Sequence, residues 1–154
     1  MSKRKKTNYI IVHSTNTKPN EDLSARDIDE RHRKRGLLKI GYHFVIKRDG
    51  TIELGRPLCE IGAHLHEYDD QSVGICMVGG QNTRGVHAPD YSAQQQEALF
   101  VLIKTLKLTY KDAKVVGHST LDKVECPSFN VVEWWDINKQ ISLELRGYYG
   151  KTRR

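Results

Sequence analysis

The sequence predicts a mixed α/β domain, with one central mixed β-sheet packed by helices. Three observations carry this reading. Short apolar runs at residues 9–14, 72–78 and 114–117 read as buried strands. Two segments with helical spacing, each opened by a capping signal, lie between them. A tight-turn signature between residues 42 and 54 adds an antiparallel hairpin, which a regular alternation of strand and crossover helix lacks. At 154 residues the chain is about one domain, large enough to bury a core without cross-links.

The first strand, Tyr9-Ile10-Ile11-Val12-His13-Ser14, leaves His13 at its end, and Asn16-Thr17-Lys18-Pro19-Asn20 breaks it into a loop. Ser24 followed by Asp27 resembles a capping box, opening a polar surface helix through Ile28, His32 and Arg35 to Gly36. Tyr42-His43-Phe44-Val45-Ile46-Lys47 and Thr51-Ile52-Glu53-Leu54 flank the turn Arg48-Asp49-Gly50. In such a strand Tyr42 and His43 face opposite sides, so only one of them approaches a given site. The strand at 72–78 ends in Gly79-Gly80 and gives way to a polar loop. Ser92 and Gln95 then cap the main core helix, whose Leu99, Leu102, Ile103, Leu106 and Tyr110 recur at helical spacing. Lys114-Val115-Val116-Gly117 delivers His118 to a strand end, and Asn130 with Glu133 caps a short helix carrying Trp134 and Trp135. The domain is expected over residues 9–146, between a basic arm at 1–8 and a basic tail at 147–154. There are no internal repeats.

Composition narrows the partners only partly. The formal charge of +6 gathers in Lys3-Arg4-Lys5-Lys6, in Arg31 to Arg35 and in Lys151-Thr152-Arg153-Arg154. Such a surface favours polyanions, whether nucleic acid, phosphate-rich envelope or anionic cell wall. No helix-turn-helix, finger spacing or RNA-binding aromatic signature accompanies the charge, so specific nucleic-acid binding is not expected. The three cysteines, Cys59, Cys76 and Cys126, form no paired framework. Cys76 sits in an apolar run and reads as a buried small hydrophobe. The apolar stretch after the basic start is too short for a signal peptide, and no run is long enough to span a bilayer, so synthesis as a soluble cytoplasmic protein is expected.

His13, His118 and Cys126 offer two imidazoles and a thiolate. That set suits a borderline-soft cation and leaves a fourth tetrahedral position open, as in catalytic zinc sites. The spacing from His118 to Cys126 exceeds a helical pair and a zinc knuckle, so a loop must fold back, with Cys126-Pro127 as a stiff turn. Spacing alone also fits histidines that merely satisfy polar neighbours.

Further motifs decide the matter: Val12-His13-Ser14, Gly41-Tyr42-His43-Phe44, Lys47-Arg48-Asp49-Gly50, Gly55-Arg56, Gly62-Ala63-His64, Ser72-Val73-Gly74, Val78-Gly79-Gly80, Tyr91-Ser92 with Gln95, and Cys126-Pro127-Ser128-Phe129. Through them the chain resembles the zinc-dependent N-acetylmuramoyl-L-alanine amidases of the phage lysozyme type, closest to the T-odd coliphage group, which share their fold with peptidoglycan recognition proteins. The resemblance runs from about residue 10 to 135. It implies one zinc ion per chain held by His13, His118 and Cys126, and hydrolysis of the amide between N-acetylmuramic acid and the L-alanine of the stem peptide. Zinc lowers the pKa of bound water to about 7 and polarises a carbonyl, which suits that reaction. The resemblance further implies a catalytic Tyr42 donating to the developing oxyanion, His64 and Asp69 in the substrate groove, and a structural His43. It gives no role to His32, His66 or His87, which read as exposed. The family's lysine stands two positions before the cysteine, where this chain has Val124; Lys123, one place earlier, is the substitute catalytic cation.

The implied biology is an endolysin made in the host cytoplasm that reaches the wall through a holin or other membrane lesion, acting as a monomer on peptidoglycan during phage-induced lysis. Fold relatives that bind peptidoglycan without cleaving it typically lack the cysteine, so Cys126 favours catalysis over recognition alone. Phage RNA polymerase is a further partner of the closest family type, through a surface including the N-terminal arm. The arm here is shorter and differs, so the sequence does not carry that partner over.

Overall fold

The computed structural model describes residues 2–152, with side chains as far as residue 147; Arg153 and Arg154 of the expected tail lie outside them. The elements are β1 (Tyr9–Ser14), α1 (Ala25–Lys34), β2 (Phe44–Ile46), β3 (Ile52–Leu54), β4 (Ser72–Met77), α2 (Ala93–Thr109), β5 (Lys114–Gly117), α3 (His118–Leu121) and α4 (Val131–Thr152). The sheet order is β3-β2-β4-β1-β5, parallel except for the β2–β3 hairpin, which makes it the expected mixed sheet.

β1 lies between β4 and β5, and β4 is buried along its whole length. Both faces are therefore covered, which explains why these strands read as continuous apolar runs. On one face Ile10, Val12, Val73, Ile75 and Met77 meet Leu99, Leu102 and Ile103 of α2 and Val131 and Trp135 of α4. On the other, Val45, Cys76 and Val78 meet Ile28 of α1. The capping boxes form as expected: Ser24 with Asp27 opens α1, and Ser92 with Gln95 opens α2. Buried Gln95 also donates through Nε2 to the carbonyls of Ile46 and Val78, tying the start of α2 to the ends of two strands.

Two expectations change in extent. The short tryptophan helix is the 22-residue α4, started by Asn130, whose Oδ1 accepts from the Glu133 N–H. The N-terminal arm also has fixed partners. Its Arg4 N–H donates to the Cys59 carbonyl, while the guanidinium donates to the Glu60 carbonyl and the Tyr110 hydroxyl.

Candidate active site

The register of three parallel strands assembles the site. His13 pairs with Cys76 on β4, and the preceding Val12 pairs with Gly117 on β5. His118, the next residue after Gly117, therefore arrives beside His13, with ring centroids 4.9 Å apart. This is the carboxyl end of the parallel strands, where open α/β sheets bind ligands. His118 opens the short helix α3, and the Ser119 N–H donates to the Cys126 carbonyl at 2.8 Å, folding the chain back. The Ser14 N–H then donates to Cys126 Sγ at 3.2 Å. As a result, one donor atom from each of His13, His118 and Cys126 lies within 4.8 Å of the others.

The donor set fits a zinc ion. His118 Nε2 is buried without a hydrogen-bond partner among the described residues, and its nearest carboxylate oxygen, on Asp122, is 3.6 Å away. An unpaired buried polar atom is costly, and a coordinated cation removes that cost. Burial, and then the neighbouring His64 and His118, hold His13 well below the usual histidine range, so its ring keeps the lone pair a metal needs. Burial pushes the Cys126 thiol up, against the Ser14 N–H, which favours the thiolate.

An open cavity of ≈ 530 Å³ lies over these residues, walled also by Ser14, Arg35, Tyr42, His64, His87, Val124 and Glu125. A second hollow of ≈ 590 Å³ adjoins it across His87, Val124 and Glu125 and continues past Ser119, Thr120 and Ser128. Tyr42 lies 5.3 Å from the His13 ring, centroid to centroid. Burial, followed by the nearby Cys76 and Cys126 sulfurs, raises its phenol well above the ordinary value, so it remains a proton donor at neutral pH.

The strand alternation expected of Tyr42 and His43 does not apply, because β2 begins only at Phe44. Both rings approach His64, at 6.4 and 6.0 Å. His43 is bound on both ring nitrogens, Nδ1 accepting from the Gly74 N–H at 3.0 Å and Nε2 lying 2.8 Å from the Glu60 carbonyl. His32 is not the exposed helix residue expected. It is 8% exposed, its Nδ1 accepts from the Gly41 N–H at 2.9 Å, and its ring packs 5.3 Å from Tyr42. Its place at the buried edge of an otherwise polar helix was the available signal. His66 is exposed, and His87 is exposed but walls both hollows.

The remaining predicted residues divide. The His64 side chain has 0% exposure and its Nδ1 is 2.8 Å from His13 Nε2, so it stands directly behind a predicted ligand. Asp69 does not wall the cavity; its Oδ1 accepts from the backbone N–H groups of His64 and Leu65 at 2.9 and 2.8 Å. Lys123 is exposed and does not wall the cavity, whereas Val124 does. Arg35, which sequence reasoning passed over as part of a surface charge cluster, is the one Lys or Arg side chain on the cavity wall among the described residues.

Residues 3–129 match the family described as N-acetylmuramoyl-L-alanine amidase. The chain is 38% identical to an endolysin of Klebsiella phage KP32, over 92% of this chain and 93% of that protein. Among solved structures it superposes on the N-acetylmuramoyl-L-alanine amidase LysC from Clostridium intestinale with a TM-score of 0.72 and 30% identity, covering 88% and 85% of the two chains. It superposes on a mutant of Drosophila PGRP-LB in complex with tracheal cytotoxin with a TM-score of 0.67 and 31% identity, covering 79% and 75%. The chain belongs to the N-acetylmuramoyl-L-alanine amidase family, with phage endolysins among its relatives.

Proposed function

We propose that the chain is a zinc-dependent peptidoglycan amidase that hydrolyses the bond between N-acetylmuramic acid and L-alanine during phage-induced lysis. The observation that carries this reading is the convergence of His13, His118 and Cys126 at the open end of the sheet, at the floor of a cavity. His13, His118 and Cys126 would hold the zinc ion, whose contribution would be Lewis acidity and a nucleophilic water at neutral pH.

The chain's own residues do the rest. The Tyr42 phenol, kept protonated by burial, donates to the carbonyl oxygen of the scissile amide as negative charge develops there. Arg35 supplies positive charge from the same wall, and Lys123 adds a weaker contribution from the exposed loop beyond Val124. The two adjoining hollows form an open groove suited to a polymer, with Ser119, Thr120 and Ser128 offering hydroxyls along one arm. No described helix is long and apolar enough to cross a membrane. Resemblance to phage endolysins supports passage to the wall through a holin or other lesion, and action as a monomer.

The test is mass spectrometry of purified sacculi digested with wild type, chelated protein and Cys126→Ser. Wild type should release stem peptides with free L-alanine amino termini. The other two samples should lose at least a hundredfold in rate, because a serine hydroxyl does not replace a thiolate ligand near neutral pH. A fully active Cys126→Ser protein would remove the metal assignment.

A further inference from the structure

We infer that His64 is a positioning residue for His13, selecting the ring tautomer that presents Nδ1 to the metal, and is not itself a contact for substrate. The inference rests on the metal reading above and deepens it.

Ser72 Oγ has no proton left to donate to His64. The Tyr68 carbonyl accepts from the Ser72 hydroxyl at 2.7 Å, which commits the one proton on Ser72 Oγ. Ser72 Oγ can then only accept from His64 Nε2, 3.3 Å away, so that nitrogen carries the His64 proton. The Asp69 carboxylate reinforces this choice, with Oδ1 held by two backbone N–H groups and 3.7 Å from the same nitrogen. With Nε2 protonated, His64 Nδ1 is an acceptor. His13 Nε2, 2.8 Å from it, must be the donor. The lone pair of His13 is thereby left on Nδ1. A chain of fixed donors running from a backbone carbonyl thus determines which nitrogen of a predicted ligand is free. Metal-bound histidines generally donate their other ring N–H to a partner that fixes ring and tautomer. Here the partner is a second histidine, itself oriented by Ser72 and Asp69.

The packing makes His64 suited to this and unsuited to following a mobile substrate. Its side chain has 0% exposure although it borders the cavity, and it lies over Gly74 of β4, where a Cβ would come within 2.6 Å of the ring. Gly62 also abuts the ring, where a Cβ would lie 2.7 Å from His64 Cδ2.

The proposal is tested by three measurements. Long-range proton–nitrogen NMR on histidine-labelled, metal-free wild type should show His13 protonated on Nε2. Zinc affinity by chelator competition should fall about 10–100-fold in His64→Leu. His64→Asn, whose side-chain oxygen can stand near the place of Nδ1, should recover most of that loss, and Ser72→Ala should mix the tautomers of both rings. A substrate contact would instead raise KM in His64→Leu and leave zinc affinity unchanged. That result, or His13 protonated on Nδ1 in wild type, overturns the proposal. His13→Ala and Cys126→Ser separate the two readings. If they bind zinc as wild type does, the metal assignment itself is wrong; if they lose zinc and His64→Leu does not, only the role of His64 is. Should His64→Leu fail to fold, the wild-type tautomer decides.

Discussion

At the scale of single residues, the position two before Cys126 separates this chain from the pattern its resemblance implies. Val124 stands there, 38% exposed, and walls the cavity with an isopropyl group where the family pattern has a lysine. A developing oxyanion still gains from a nearby positive charge, and Arg35 approaches the same cavity from the end of α1, where it also acts on Tyr42. A charged hydrogen bond of about 1.5–3 kcal/mol corresponds to roughly 10–100-fold in rate if it is made only in the transition state. Arg35→Ala should therefore lower kcat by about tenfold or more, whereas Lys123→Ala should cost only about two- to threefold. Val124→Lys, introduced into Arg35→Ala, should recover part of the loss. Steady-state kinetics on a soluble muramyl peptide checks all three, and a wild-type kcat in Arg35→Ala would move the charge to Lys123 or to the metal alone.

At the scale of elements, the site is a matter of register. The apolar runs, the hairpin turn and both serine caps could be read in the sequence because each reports a local preference: burial, backbone conformation or an orphaned N–H. His13 and His118 at strand ends were legible for the same reason. What local preference does not report is which strands become neighbours, so the pairing of β1 between β4 and β5, which brings the two histidines together, had to come from the structure. The enclosure of His64 was hidden likewise, because it depends on Gly74 being bare on one face of β4 while the loop before that strand folds over it. This gives a direct test. Gly74→Ala places a methyl group within 2.6 Å of the His64 imidazole, so the ring must shift to make room. Overpacking of this kind typically costs about 1–3 kcal/mol. The variant should unfold at correspondingly lower urea concentration and also bind zinc less tightly, because the ring it displaces holds His13. Loss of stability with zinc affinity intact would show that His64 can shift without disturbing the ligand.

At the scale of the whole molecule, the buried histidines make stability depend on acid. His13, His32, His43 and His64 are all held below the ordinary histidine value, burial being the largest cause for each. For His43 the value falls to about 4, and for His64 to about 3. In the unfolded chain an imidazole takes up a proton as pH drops through about 6.5, while the folded chain refuses it until far lower pH. The unfolded state then binds more protons, so stability is intact above about pH 6.5 and is lost as pH falls through the window down to about 4. At about 1.4 kcal/mol per pH unit, His43 alone carries on the order of 3 kcal/mol across that window. That is a large share of the 5–15 kcal/mol typical of a domain. The contributions of His13 and His64 do not simply add, since their rings touch and titrate together. Urea unfolding of metal-free protein between pH 7.5 and 4.5 should show a free energy that is level at the upper end and declines steadily below about 6.5, with the slope against urea unchanged. Saturating zinc should delay the decline, because bound metal competes with protons for His13. His43→Gln, which cannot take up a proton, should begin less stable at pH 7.5 and lose less on acidification. A free energy independent of pH down to 4.5 would mean that these rings are solvated in the folded protein, contrary to their burial.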